Sequence, residues 1–219
     1  MLENLKPAFN NVLRPIMKVF AWAGVHPNHL TIAGVALFGA AGYLASTGKW
    51  HWALGMLIAG ALMDGLDGQL ARECGKKSVF GAILDSSCDR ITEMLLLLGL
   101  LVFYTHHSLY SGWGVYLCFT AISGSVLVSY VKARCEGAGV SCSRGLLQRP
   151  ERLILLGLGL LLGPKSMVWI LVLVSVLALV TVMERLFMAS VQCRFIDQSK
   201  NAGSSGSGEA QAKQSSAEA

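Results

Sequence analysis

The chain has 219 residues, is 53% hydrophobic, only 14% charged, and carries a formal net charge of +5. A soluble globular domain has about 25% charged residues. With a mean hydropathy of +0.54, this composition excludes an ordinary soluble protein and predicts an all-α integral membrane protein, one bundle without a second sizeable domain.

The first residues carry Glu3, Lys6, Asn10, Asn11, Arg14 and Lys18, too polar for the apolar core of a secretory signal. Leu5–Ala23 mixes Leu, Phe, Val, Ile and Trp with Lys6, Arg14 and Lys18, which predicts an amphipathic helix lying along the membrane surface. His26-Pro27-Asn28 then breaks the chain. Six hydrophobic stretches follow: Leu30–Ser46, Trp50–Ala71, Val79–Tyr104, Gly112–Val131, Leu153–Gly163 and Met167–Phe187. The fifth is short and is expected to begin at Pro150, a residue suited to a first helical turn, with Glu151 complementing the helix dipole. The six cysteines include no CxxC, and Cys88 and Cys118 fall inside spans, so a packing role is expected for them. From Gln198 to Ala219 the chain is Ser, Gly, Ala, Gln and Glu with almost no large apolar residue, which predicts a disordered tail (198–219) after a membrane domain (1–197).

Six spans put both termini on one side. Of the 18 Lys and Arg residues, only Lys49 and Lys165 fall on the other. The positive-inside rule therefore predicts cytosolic termini in a multi-pass inner-membrane protein. The net charge needs no nucleic-acid partner.

Four carboxylates interrupt the second and third spans: Asp64 and Asp67, three apart, and Asp85 and Asp89, four apart, with Arg72 and Arg90 close by. Each pair shares one helix face. A short cytosolic loop makes the two spans antiparallel neighbours, so the pairs can face each other just below the membrane surface. Crowded carboxylates in low dielectric repel one another; two divalent cations would neutralise them and clamp phosphate oxygens. No His lies near, which disfavours zinc and favours Mg²⁺, with Mn²⁺ as a substitute. Gly65, Gly68 and Gly81 allow close approach of a helix or a ligand. A divalent-cation transporter is the alternative of another class, but spans three, four and six are apolar in their outer halves.

Written out, the segment is D-x2-D-G-x2-A-R-x8-G-x3-D-x3-D, from Asp64 to Asp89. It resembles the signature of the CDP-alcohol phosphatidyltransferase family at all eight of its fixed positions. The resemblance implies six transmembrane helices, a metal-dependent polar cavity open to the cytosol, a homodimer, and displacement of CMP from a CDP-linked lipid by an alcohol. It implies that Asp64, Asp67 and Asp85 bind the metals, that Asp89 is both ligand and general base, and that Gly68, Ala71, Arg72 and Gly81 border the CDP group. Asn28 and Thr31, in Pro27-Asn28-His29-Leu30-Thr31, and Ser78 resemble further nucleotide contacts; each is equally suited to capping a helix.

The acceptor is read from a basic group. Ser129-Tyr130-Val131-Lys132-Ala133-Arg134 ends span four and Arg149-Pro150-Glu151-Arg152-Leu153-Ile154 opens span five. Four cations exceed what anchoring requires and suit an acceptor bearing a phosphate. The two segments resemble the prokaryotic phosphatidylinositol phosphate synthase branch of the family. That implies CDP-diacylglycerol as donor and inositol 1-phosphate (myo-inositol 3-phosphate) as acceptor, its phosphate held by Lys132, Arg134, Arg149 and Arg152. Glycerol 3-phosphate, as in phosphatidylglycerophosphate synthase, is the alternative acceptor, and an ether lipid the alternative donor. The stretch Val140–Gly145 departs from the loop of that branch, and the tail has no counterpart in it.

Overall fold

The structure, a computed structural model, describes residues 26–73, 78–107, 111–142 and 145–215. The predicted interfacial helix Leu5–Ala23 lies outside them. Every element among the described residues is an α-helix: α1 Pro27–Ser46, α2 Trp50–Glu73, α3 Val79–His106, α4 Ser111–Gly137, α5 Arg149–Leu162 and α6 Pro164–Ser215. Each predicted span falls on one of them. The fifth ends a residue early, because Gly163 adopts φ +90° and Pro164 opens the next helix. α6 runs through the Ser/Gly-rich stretch for which composition predicts disorder.

Among the described residues, three helices are long and apolar enough to cross a membrane: Pro27–Ser46, Gly112–Gly137 and Pro164–Arg194. α2 and α3 have the length, 24 and 28 residues, but carry the aspartates. α5 has only 14 residues, about 21 Å at 1.5 Å per residue.

The chain forms two compact units. The larger comprises residues 1–123 and 149–175. In it α1 packs on α2 and α3, and α2 on α5. Phe38, Ala41, Ala45, Leu96, Leu97, Leu100 and Tyr104 are its buried interior. The crossing of α1 and α3 requires glycine on both sides: a Cβ at Gly99 would collide with the backbone of Gly42, and one at Gly42 with the Leu95 carbonyl. At the end of α3 away from the aspartates, the Tyr104 hydroxyl donates to the Pro164 carbonyl at 2.9 Å.

The smaller unit comprises residues 124–148 and 176–219. Val128, Val131 and Cys135 pack with Ala178 and Val182, and the connecting stretch adds Val140 and Cys142. Buried Arg185 donates to the Val128 carbonyl at 2.5 Å. Ser141 and Gln192 bond reciprocally, at 3.1 and 2.9 Å, so the stretch that departs from its branch is pinned to α6. Cys135 and Cys142 are free thiols inside this cluster.

Candidate active site

The site is assembled in the larger unit where α1, α2, α3 and α5 meet. α2 and α3 each expose carboxylates at helical spacing, so a single packing arrangement brings both sets together. Oxygens of Asp64, Asp85 and Asp89 all lie within 4.8 Å of one another. Asp85 is exposed, while Asp64 and Asp89 are each 26% exposed at the side chain, so the triad is open to a ligand from one side. Three oxygen donors without His or Cys among them fit a hard divalent cation.

Asp67 stands apart from this triad. It is 3% exposed and accepts a hydrogen bond from the Thr31 hydroxyl at 2.5 Å. Thr31 also donates to the Pro27 carbonyl at 3.4 Å. Thr31, predicted to touch the nucleotide or cap α1, therefore ties α1 to α2 through a site carboxylate. The cap of α1 is His26, whose ring accepts from the Asn28 amide at 3.4 Å.

Asn28, Ser78 and Gly81 come together at the start of α3. Ser78 is the N-cap and accepts from the Gly81 amide at 2.9 Å. A Cβ at Gly81 would stand 2.9 Å from the Ser78 hydroxyl and 3.8 Å from Asn28 Oδ1. The α3 N-terminus thus presents backbone donors beside an amide side chain, a setting that favours anions. At Gly68 an added Cβ meets nothing within 4 Å, which leaves room for a ligand on α2. Ala71 and Arg72 belong to the last turns of α2; their side chains lie outside the described part.

Arg149 and Arg152 enter the same region from α5 in different ways. Arg149 Nη1 lies 2.9 Å from Asp64 Oδ2 and 2.5 Å from Asp89 Oδ1, while Nη2 donates to the Thr92 hydroxyl at 3.1 Å. Arg152 is 2% exposed, and its Nε and Nη2 donate to the two carboxylate oxygens of Glu93 at 2.6 and 2.9 Å. Sequence reasoning put both on an acceptor phosphate. In the structure Arg149 lies on the triad and Arg152 in a buried ion pair, because α3 carries acceptors at exactly the facing turns. Lys132 and Arg134 belong to the smaller unit, where Lys132 pairs with Glu136 at 3.7 Å.

Thr92 and Glu93 escaped sequence reasoning. They lie three and four residues after Asp89 and continue its helix face. Glu93 is an acid inside a predicted span, which is itself a signal for a polar partner. Arg90 turns elsewhere and donates to the Ser86 carbonyl.

Residues 24–183 match the family described as CDP-alcohol phosphatidyltransferase. The chain belongs to that family. It is therefore a membrane phosphatidyltransferase, of a family dependent on divalent cations. A phosphatidylinositol phosphate synthase of Corynebacterium glutamicum is 38% identical over 163 residues, 73% of this chain and 74% of that one. An archaetidylinositol phosphate synthase of Pyrococcus horikoshii is 34% identical over 191 residues, covering 86% and 96%. The fold is similar to crystal structures of the Mycobacterium tuberculosis phosphatidylinositol phosphate synthase. The form with CDP-DAG bound gives a TM-score of 0.75 at 31% identity, covering 80% of this chain and 92% of that one. A form in complex with manganese and citrate gives 0.73 at 30% identity, covering 80% and 87%.

Proposed function

We propose that this phosphatidyltransferase moves the phosphatidyl group of CDP-diacylglycerol to a hydroxyl of inositol 1-phosphate (myo-inositol 3-phosphate), releasing CMP and giving phosphatidylinositol phosphate. The observation that carries the proposal is the meeting of the Asp64–Asp85–Asp89 triad with the Arg149 guanidinium. A carboxylate set fit to hold divalent cations stands against a guanidinium suited to a second, phosphorylated substrate. The names of the relatives support the same acceptor.

In this reading Asp89 takes the proton of the acceptor hydroxyl, the freed oxygen attacks the lipid-side phosphorus, and the bond to CMP breaks. Asp64, Asp85 and Asp89 hold divalent cations, two Mg²⁺ with Asp67 completing the set. When bound they supply charge stabilisation for the pyrophosphate and the leaving group. Asn28, Ser78, Gly81 and Gly68, with Ala71 and Arg72, border the CDP group. Thr31 acts on it through Asp67. Arg149 holds the acceptor phosphate, whereas Arg152 orients α5 through Glu93. The six helices cross the inner membrane, the site and both termini are cytosolic, the catalytic domain ends near residue 197, and the enzyme is a homodimer.

The deciding experiment is a CMP-release assay on purified protein. CDP-diacylglycerol is offered with inositol 3-phosphate, inositol, glycerol 3-phosphate and serine in parallel. The expected result is turnover with inositol 3-phosphate at least about tenfold above inositol and serine, the minimum that one lost charged contact predicts, and above glycerol 3-phosphate, which keeps the phosphate. Preference for glycerol 3-phosphate would make the enzyme a phosphatidylglycerophosphate synthase instead. The archaetidylinositol relative makes an ether-linked CDP-lipid a useful second donor arm.

A further inference from the structure

The guanidinium of Arg149 lies on the triad itself. A Mg²⁺ held by Asp64 and Asp89 would sit about 2.0–2.1 Å from the oxygens that bind it. Nη1 of Arg149 already lies 2.9 Å from Asp64 Oδ2 and 2.5 Å from Asp89 Oδ1, so it occupies the face of both oxygens that an ion shared between them would use. Two cations in that space also repel across a short distance in low dielectric. The fork is well directed on Asp64, where Nη1 and Nη2 donate to the two oxygens at 2.9 and 3.4 Å, but not on Asp89: Asp89 Oδ1 and Arg149 Nε are buried atoms with no hydrogen-bond partner among the described residues. An orphaned donor and an ill-directed acceptor weaken the arrangement relative to one in which both are satisfied.

Arg149 is the first residue of α5, so its side chain can turn away by rotation about its own bonds while the helix stays in place. Once off the carboxylates, its planar fork offers donors suited to a phosphate monoester.

We propose that Arg149 is a built-in competitor of the catalytic cation. Its pairing with Asp64 and Asp89 and cation binding exclude each other, and the displaced guanidinium becomes the anion-binding group for the acceptor phosphate. Cation and phosphate therefore bind with positive cooperativity: the metal frees Arg149 for the anion, and the anion, by holding Arg149, clears the carboxylates. Without the cation, the enzyme's own arginine neutralises the carboxylates that would otherwise repel one another. The inference rests on the reading of Asp64, Asp85 and Asp89 as the metal site, and its test separates the two.

Mn²⁺ binding to the full-length protein in detergent is measured by electron paramagnetic resonance of the free ion, without lipid substrate. Sulfate serves as a soluble stand-in for the phosphate monoester. In the wild type, saturating sulfate should tighten Mn²⁺ binding at least about fivefold, the lower end of usual coupling. R149Q should bind Mn²⁺ at least about fivefold more tightly than wild type without sulfate, and should lose the sulfate effect. R90Q removes the same charge beside Asp89 from a half-buried residue turned to the Ser86 carbonyl, and should change Mn²⁺ affinity less than about twofold, as expected of a charge directed away from the triad. Unchanged or weaker binding by R149Q, or equal gains in R149Q and R90Q, would overturn the competition. If R149Q does not fold, the wild-type linkage decides alone, and its absence overturns the proposal. D64N and D85N report on the underlying reading: wild-type Mn²⁺ affinity in both would remove the metal site, and the competition with it.

Discussion

Several demands meet at Asp89. It lies in the oxygen triad, pairs with Arg149, and shares its helix face with Thr92 and Glu93. As the proposed general base it needs an ionisable oxygen, which Asn lacks while keeping nearly the same shape. Asp89→Asn is therefore expected to lower CMP release at least about 10²-fold, the usual scale of general-base loss, with little change in thermal unfolding. Turnover within a few-fold of wild type would remove the base assignment. Asp67 differs in kind. Buried, and held by Thr31 at 2.5 Å, it acts with a fixed orientation, whereas the exposed Asp85 is free to meet incoming ligand.

At the scale of elements, α3 and α5 are joined by charge. α3 offers Asp89, Thr92 and Glu93 on consecutive turns, and α5 answers with Arg149 and Arg152. The Glu93–Arg152 pair is buried, its side chains 4% and 2% exposed. Removing one partner of a buried pair leaves the other charge uncompensated, a loss of about 3–5 kcal/mol, while replacing both by apolar residues is close to neutral. Arg152→Met and Glu93→Leu should each lower the unfolding temperature in detergent clearly, and the double variant should recover much of it. Equal losses in all three would show that the pair does not position α5. This element pair also marks a limit of sequence reading. Four basic residues near one cytosolic level were legible as a group. Their division into a triad partner, a buried ion pair and members of a separate unit was not, because only packing decides which acid faces which base.

At the scale of the whole molecule, each of the six apolar stretches lies on one of the described helices, since both follow from hydrophobic runs ended by Gly, Pro and polar turns, although α6 continues well past its stretch. Three of them are long and apolar enough to cross a membrane by themselves. The proposed topology places Lys165 outside and the stretch after α4 inside. Single cysteines at Lys165 and Ala138, in a background without the native thiols, should react with an impermeant maleimide from opposite faces of right-side-out vesicles. Labelling of both from one face would contradict six crossings.

The sequence by itself determined the class of chemistry. Carboxylates at spacings of three and four on two neighbouring apolar helices can only gather at one face, and their costly burial demands a cation. It determined the family as well, because the fixed residues from Asp64 to Asp89 lie within one short stretch of chain. The tertiary structure decided the partners. Asp64, Asp85 and Asp89 form the tight group while Asp67 is drawn aside by Thr31, Arg149 rests on the carboxylates, and Arg152 answers Glu93. Those outcomes depend on how α1 and α5 dock against α2 and α3. Contacts across about 36 to 85 positions of chain are set by packing, which local spacing does not encode.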